Sequence, residues 1–183
     1  MVTRTQVSMS DFWAFVENVD DDRQYELIAG EIVVSPAPLL PHQRLSKRLL
    51  LLLESLIPDG ETWIAPTQVQ IDESNSYQPD LFWIAEDSNS VQTPAQIIGA
   101  PDLVVEILSP STAKHDKEIK FNAYEKAGVR EYWIADPVHL IVEVWVSEAG
   151  HFDRIGAFTD GDTFPSKALG KTVTFDGIFE HLG

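Results

Sequence analysis

The stretch Leu103-Val104-Val105-Glu106-Ile107-Leu108 constrains this chain more than any other. Its five aliphatic residues read as a strand buried on both faces, the kind that sits inside a sheet covered on each side. Gly99-Ala100-Pro101 and Ser109-Pro110-Ser111 bracket it with turn signals. A carboxylate inside such a strand is costly unless a hydrogen-bond network, a cation or a metal ion compensates it. Glu106 is therefore the first residue to explain.

The rest of the sequence supplies the layers that bury this strand. Ser10 is positioned to cap a short helix over residues 11–16. Two apolar runs flank Ala29-Gly30 and predict a β-hairpin. Leu45, Leu49, Leu52, Leu53 and Leu56 recur at helical spacing and predict an amphipathic helix over residues 41–57, stopped by Pro58-Asp59-Gly60. Strands are expected at 63–71, 79–85 and 103–108. A helix is expected at 114–127, capped by Ser111 or Thr112 and ended by Gly128. Further strands follow at 130–135, 139–147 and 152–158, then a last one at 172–175 before a short helical tail. The polar segment 86–96 reads as a mobile loop. No repeat or long linker divides the 183 residues, so a single domain over residues 1–183 is expected. The central order is helix, three strands, helix, strand, with additional strands at either end. That order implies an α/β or α+β fold with a mixed central sheet.

Three side chains stand where chemistry is plausible. Glu106 lies on the buried strand, and Asp80 opens the neighbouring run after Pro79. Lys120 falls on the inward stripe of the following helix, with Asp116 at i−4, Ala123, Tyr124 and Ala127 at i+3, i+4 and i+7, and Ile119 on the same side. Two strand carboxylates and a lysine are the parts of a metal-dependent phosphodiesterase site, in which a hard cation such as Mg²⁺ takes carboxylate oxygens and keeps several waters. Each residue also has a plainer role: Asp80 as a strand-entry aspartate, Lys120 as a snorkelling side chain. His42 and Glu26 are supporting candidates. A hydrogen-bonded core histidine and an exposed strand glutamate are the commoner outcomes for those two.

Several classes fall away. There is no H-E-x-x-H, G-x-S-x-G, P-loop or G-x-G-x-x-G pattern. The chain has no cysteine, which removes disulfides and thiolate metal sites and fits a cytoplasmic setting. No apolar stretch is long enough to cross a bilayer. Net charge is −16, from 13 Lys+Arg against 29 Asp+Glu, which opposes non-specific binding to nucleic acid. Eight of the 13 cations lie in two segments, Arg44, Lys47 and Arg48, then Lys114, Lys117, Lys120, Lys126 and Arg130. They form either a basic strip on an acidic body or the solvated faces of two helices.

Taken together, Tyr25-Glu26-Leu27-Ile28-Ala29-Gly30-Glu31-Ile32-Val33, the His42 helix, Pro79-Asp80, the run from Pro101 through Thr112, then Asp116, Lys120, Tyr124 and Gly128-Val129-Arg130-Glu131-Tyr132-Trp133 occur in an order that resembles the restriction-endonuclease family of the Uma-two type. That family lies within the PD-(D/E)XK nuclease superfamily. The resemblance covers residues 10–150. It implies a restriction-endonuclease-like core, with Asp80 as the strand-borne aspartate and Glu106 as the acid of the D/E-X-K element. The lysine slot two residues after Glu106 holds Leu108, and Lys120 fits the position of a lysine that has migrated to the next helix. The implied activity is Mg²⁺- or Mn²⁺-dependent hydrolysis of DNA phosphodiesters, with Asp80 and Glu106 on the metal and Lys120 catalytic. The alternatives are a catalytically silent binding or regulatory domain on the same fold, and a hydrolase of small phosphoesters that lacks a basic groove. A two-fold homodimer is expected through the strand carrying Trp145, read as a sheet edge needing cover.

Overall fold

The computed structural model describes residues 6–182, apart from 22, 36, 57, 58, 111 and 112. The chain runs α1 (Met9–Asn18), β1 (Gln24–Ile28), β2 (Glu31–Ser35), α2 (Leu40–Leu56), β3 (Glu61–Ile64), β4 (Val69–Asp72), β5 (Asn75–Tyr77), β6 (Leu81–Ile84), β7 (Val91–Gln92), β8 (Ile97–Ile98) and β9 (Leu103–Ile107). A π-helical segment (His115–Lys120) leads into α3 (Phe121–Ala127), followed by β10 (Glu131–Asp136), β11 (Ile141–Glu148), β12 (His151–Phe158), β13 (Thr163–Ser166) and β14 (Lys171–Thr174).

Two six-stranded mixed sheets organise these elements. The central one has the order β12-β11-β10-β9-β6-β3, and the second has β2-β1-β5-β4-β8-β7. β9 pairs parallel with β10 and antiparallel with β6, and each of its five residues is buried. Its side chains alternate between two cores. Leu103, Val105 and Ile107 join Leu45, Leu49 and Leu53 of α2 with Trp133, Phe164 and Phe175. Val104 and Leu108 join Tyr77, Phe82, Tyr124 and Tyr132 on the opposite face. The three fully buried leucines of α2 each contribute roughly 1.5–3 kcal/mol of apolar burial. Glu106 points to the second face, where α3 and the second sheet cover it. The expected core of α2, three strands, a helix and β10 is present, so the fold class stands as read.

Several local expectations are corrected. Ser8, not Ser10, caps α1, accepting the Asp11 amide at 3.1 Å. The single strand expected over 63–71 is two, β3 and β4, which belong to different sheets. Pro66 lacks a donor for a ladder, and the chain turns there with the Thr67 amide on the Ile64 carbonyl. The segment 86–96 contains β7 and is tied by Ser90 to the Ala100 carbonyl and by Thr93 to the Gln96 carbonyl. β5 and β13 were not anticipated, and the tail after β14 forms turns rather than a helix. The proposed caps Ser111 and Thr112, and the helix stop at Ile57 and Pro58, lie outside the described residues.

Two corrections bear on function. The helix expected over 114–127 begins as a π-helix, whose wider turn shifts the facing of side chains relative to α-helical spacing. Ile119, expected inside, is exposed, while Asp116 and Lys120 are buried. Trp145 is not at a sheet edge. β11 lies between β10 and β12, and the Trp145 ring packs edge-on against Phe121 at 4.9 Å. The reason given for a dimer through that strand is thereby removed.

Candidate functional site

Lys120 is the centre of the site. The π-helical segment delivers its ammonium beneath the central sheet, where Nζ lies 3.0 Å from Glu26 Oε1, 3.0 Å from Glu106 Oε1 and 3.7 Å from Asp116 Oδ1. The Tyr124 hydroxyl, one helical turn on, donates to the same Glu106 oxygen at 2.9 Å. Below the ammonium lies the Tyr77 ring, 5.9 Å to its centroid. Glu26 arrives from β1 of the other sheet. Its Oε1 also accepts the Gln78 amide at 2.8 Å, so the segment before Asp80 is tied to the same cluster.

Asp80 forms the second half of the site. It sits just before β6, and its Oδ2 accepts the Ile107 amide at 2.7 Å. That bond registers Asp80 against the residue next to Glu106. His42, in the first turn of α2, places Nε2 3.2 Å from the same oxygen. The five residues expected from sequence thus line up as one connected group: His42 on Asp80, Asp80 on the backbone beside Glu106, and Glu106 with Glu26 on Lys120. Glu26 is buried, contrary to the exposed position that is common for a strand glutamate.

The charges explain the ionisation of the group. Burial drives the Glu106 carboxyl well above its ordinary range; Lys120 pulls it back, while Asp116, Asp80 and Glu26 push it further up. Burial alone would lower the Lys120 ammonium, but Glu106, Glu26 and Asp116 outweigh it and raise it well above the usual lysine value. Lys120 is therefore firmly charged. The same contest acts on His42: burial lowers it, the bond and charge of Asp80 raise it more, and the net shift is upward. Burial and the Glu106 charge raise the Tyr124 phenol, so it serves as a donor.

These groups open onto a cleft of about 1240 Å³, whose lining includes His42, Asp80, Glu106, Asp116 and Lys120. Sequence reasoning named Asp116 at i−4 from Lys120 and among the residues of the resemblance, but did not count it in the site. It missed Gln78, which lines the cleft and whose amide oxygen is buried without a hydrogen-bond partner. The β1–β5 pairing that brings Gln78 to Glu26 leaves no local pattern to find.

The cations give a different answer from the one the charge count left open. Arg44 donates to the His181 carbonyl, and Arg48 to the carbonyls of Ile178 and Glu180. Lys117 pairs with Glu143, and Arg130 with Asp102. Among the described residues, the lysines and arginines that line the cleft are Lys47 and Lys120. Most of the suspected basic strip holds the protein's own chain.

A divalent cation is implied by the family resemblance, and the donor set suits one. Carboxylate oxygens beside a histidine favour hard ions, and Mg²⁺ is commonly held by one or two carboxylates with the remaining positions left to water and phosphate. Among the described residues, no group of three or more His, Asp or Glu is arranged as a preformed metal cluster.

Comparison with known proteins places the whole arrangement. A solved structure, titled a putative nuclease belonging to DUF820 from Anabaena variabilis ATCC 29413, superposes with a TM-score of 0.76 over 97% of this chain and 99% of that one. At 18% identity it shows a shared fold. An uncharacterized protein of Synechocystis sp. PCC 6803 is 32% identical over 135 residues, 72% of each chain. A second uncharacterized protein of that organism is 24% identical over 163 residues, 87% of this chain and 85% of its own. No described helix is long and apolar enough to cross a membrane. The model of the Uma2 family matches residues 11–176, a span that holds every element of both sheets and each residue of the cluster, and the chain belongs to that family, described as putative restriction endonucleases.

Proposed function

We propose that this chain is a metal-dependent nuclease that hydrolyses DNA phosphodiester bonds, with Asp80 and Glu106 holding Mg²⁺ or Mn²⁺. One observation carries the reading: three carboxylates, Asp80, Glu106 and Asp116, line one cleft together with Lys120, which a fourth, Glu26, contacts from the second sheet. Such an excess of buried negative charge is unfavourable for stability and suited to a cation and a phosphate. When bound, the metal supplies a Lewis acid for the phosphate and lowers the pKa of its water.

The chain's own groups do the rest. The Ile107 amide and His42 fix the Asp80 carboxylate, so it needs little reorganisation to act as a ligand. Lys120 stays protonated and faces the place where charge develops on the phosphate oxygens, which it stabilises. Glu26 and Tyr124 hold the Lys120–Glu106 pair in one geometry. The family description and the nuclease-like fold support this reading. Purified protein should cleave DNA when Mg²⁺ or Mn²⁺ is added and not when a chelator is present. Asp80→Asn, Glu106→Gln and Lys120→Met should each lose cleavage. Cleavage that persists in all three variants would refute the assignment.

The second reading is a silent domain, and Leu108 in the usual lysine slot, with Lys120 locked between Glu26 and Glu106, favours it. Calorimetric titration with Mn²⁺ separates the two. A silent domain binds Mn²⁺ no better than its Asp80→Asn variant does.

A further inference from the structure

We propose that the strand entering this cleft is unpaired DNA, held through its bases by an apolar wall rather than through a row of phosphates. The proposal rests on the nuclease reading of the floor and adds the substrate's form.

The walls differ from the floor. Leu39 just before α2, Ile64 at the end of β3, and Val138 and Leu140 in the β10–β11 turn all line the cleft, and all are exposed. Val138 is 75% exposed and Leu39 68%. Three separate elements thus present aliphatic surface to one opening, directly over a cluster of charges. Exposed apolar surface gathered at one cleft marks a binding surface.

The Val138 side is also built. Asp136 Oδ1 accepts the amides of Val138 at 2.9 Å and His139 at 3.0 Å, and its Oδ2 meets His139 Nδ1 at 2.7 Å. Leu140 is held at a φ of +56°, a conformation that side chains of its size seldom adopt, with its carbonyl bonded by the Thr159 hydroxyl at 2.8 Å. The turn presents its two aliphatic side chains in a fixed shape.

Electrostatics weighs against the alternative way of holding DNA. A duplex binder gains affinity by releasing counterions from many phosphates. Here Lys47 and Lys120 are the lining lysines and arginines among the described residues, Arg44 and Arg48 are spent on backbone carbonyls, and the chain carries a net charge of −16. Within a duplex the base faces are stacked and out of reach. In an unpaired strand they are free to bury their apolar faces against an aliphatic wall while one phosphodiester reaches the floor.

The test uses a fluorescein-labelled, phosphorothioate-linked oligothymidine and the duplex of the same strand, with anisotropy read in Mn²⁺. The single strand should bind at least about tenfold more tightly than the duplex. The slope of log affinity against log salt should be no steeper than about −1.5, as for two phosphate contacts on a single strand. Leu39→Ser/Val138→Ser should weaken strand binding about tenfold. Hydrolysis of bis(4-nitrophenyl) phosphate by that double variant, which needs only the floor, should match wild type. Equal or tighter duplex binding, a steep salt slope, wild-type affinity in the double variant or no strand binding would each overturn the proposal. Loss of ester hydrolysis in wild-type protein with strand preference intact would instead overturn the nuclease reading and leave the recognition standing.

Discussion

Replacing Lys120 by methionine asks whether the ammonium is what lets the carboxylates share a dry floor. Methionine keeps an unbranched stem and removes the charge. Glu26 and Glu106 then lose a cation at 3.0 Å, and Asp116 one at 3.7 Å. The cluster replaces the lost positive charge with a proton, because a bare buried carboxylate costs more. The unfolded chain has released that proton once the pH exceeds 4.5, the ordinary value for the Glu106 carboxyl. Each further pH unit costs the variant about 1.4 kcal/mol. The wild-type Glu106 carboxyl is itself raised, but Lys120 holds it lower than burial alone would, so the loss relative to wild type is larger at pH 7.5 than at pH 5.5 by at most about 2.7 kcal/mol, one proton over two pH units. The wild-type contribution of Lys120 runs the other way. Its pKa is raised, so the stabilisation is complete below 10.5 and fades only as pH climbs towards the raised value. Urea unfolding in chelator at the two pH values reads the difference. Adding Glu106→Gln to the methionine variant should restore most of the loss at pH 7.5, since the amide needs no proton and its oxygen still accepts from Tyr124. A loss that is the same at both pH values, or that Glu106→Gln leaves untouched, would refute the reasoning.

Other consequences are separable. Glu106→Gln alone should change stability by less than about 1 kcal/mol, because the amide oxygen can keep the Lys120 and Tyr124 donors and Glu26 still balances the lysine; a urea midpoint close to wild type with cleavage lost is the expected pair of results. Glu131→Gln should lower the melting temperature by the equivalent of roughly 2–3 kcal/mol, since that carboxylate accepts from Trp133 at 2.6 Å, Ser166 at 3.0 Å and the amides of Lys167 at 2.7 Å and Ala168 at 3.0 Å, and an amide group would turn a donor towards some of them. Gly60→Ala should be destabilised by more than about 2 kcal/mol in chemical unfolding, because φ is +76° and a Cβ would meet the Ile84 carbonyl oxygen at 2.3 Å. For Asp136, burial raises the carboxyl but the bonds from His139 and Val138 outweigh it, so its pKa is lowered; the stability it adds is present above 3.8 and lost as pH falls through the lowered value, and acid unfolding of Asp136→Asn should converge with wild type at the acid end.

The parts of this fold that were legible in sequence are those with a period. The leucines of α2, the β1–β2 hairpin around Ala29 and Gly30, with φ of 49° and 76°, and the doubly buried β9 each carry their own signal. The short strands β5, β7 and β8 were invisible because two or three residues hold no period, and they exist through pairing with partners elsewhere. The site divides in the same way. Glu106 announced itself by violating the pattern of its strand. Asp80 and Lys120 followed from their places beside it. Glu26 was harder, because alternation in a hairpin does not say which face will be covered by another sheet. The uses of Arg44 and Arg48 could not be read at all, since their acceptors are carbonyls 130 or more residues away.

On the proposed nuclease reading, the π-helical segment supplies the lysine that the slot held by Leu108 lacks. Just past β9, Leu108 is buried in the same aromatic core that Glu106 faces, with Tyr124 and Tyr132. A lysine there would have to displace that packing. The ammonium comes instead from the covering helix, and the side chain must reach inward past the tyrosines. Asp116, four residues before Lys120 and therefore on the same face, is buried with it, while Ile119 is exposed. The segment adds a carboxylate to the floor along with the cation. With the lysine on the helix rather than in the slot of Leu108, the cluster holds Asp116 as well. The extra acid gives Lys120 a third carboxylate contact besides Glu26 and Glu106, which keeps it protonated in a dry setting. The same acid deepens the negative floor that, on the reading argued above, a divalent cation and a single phosphodiester come to occupy.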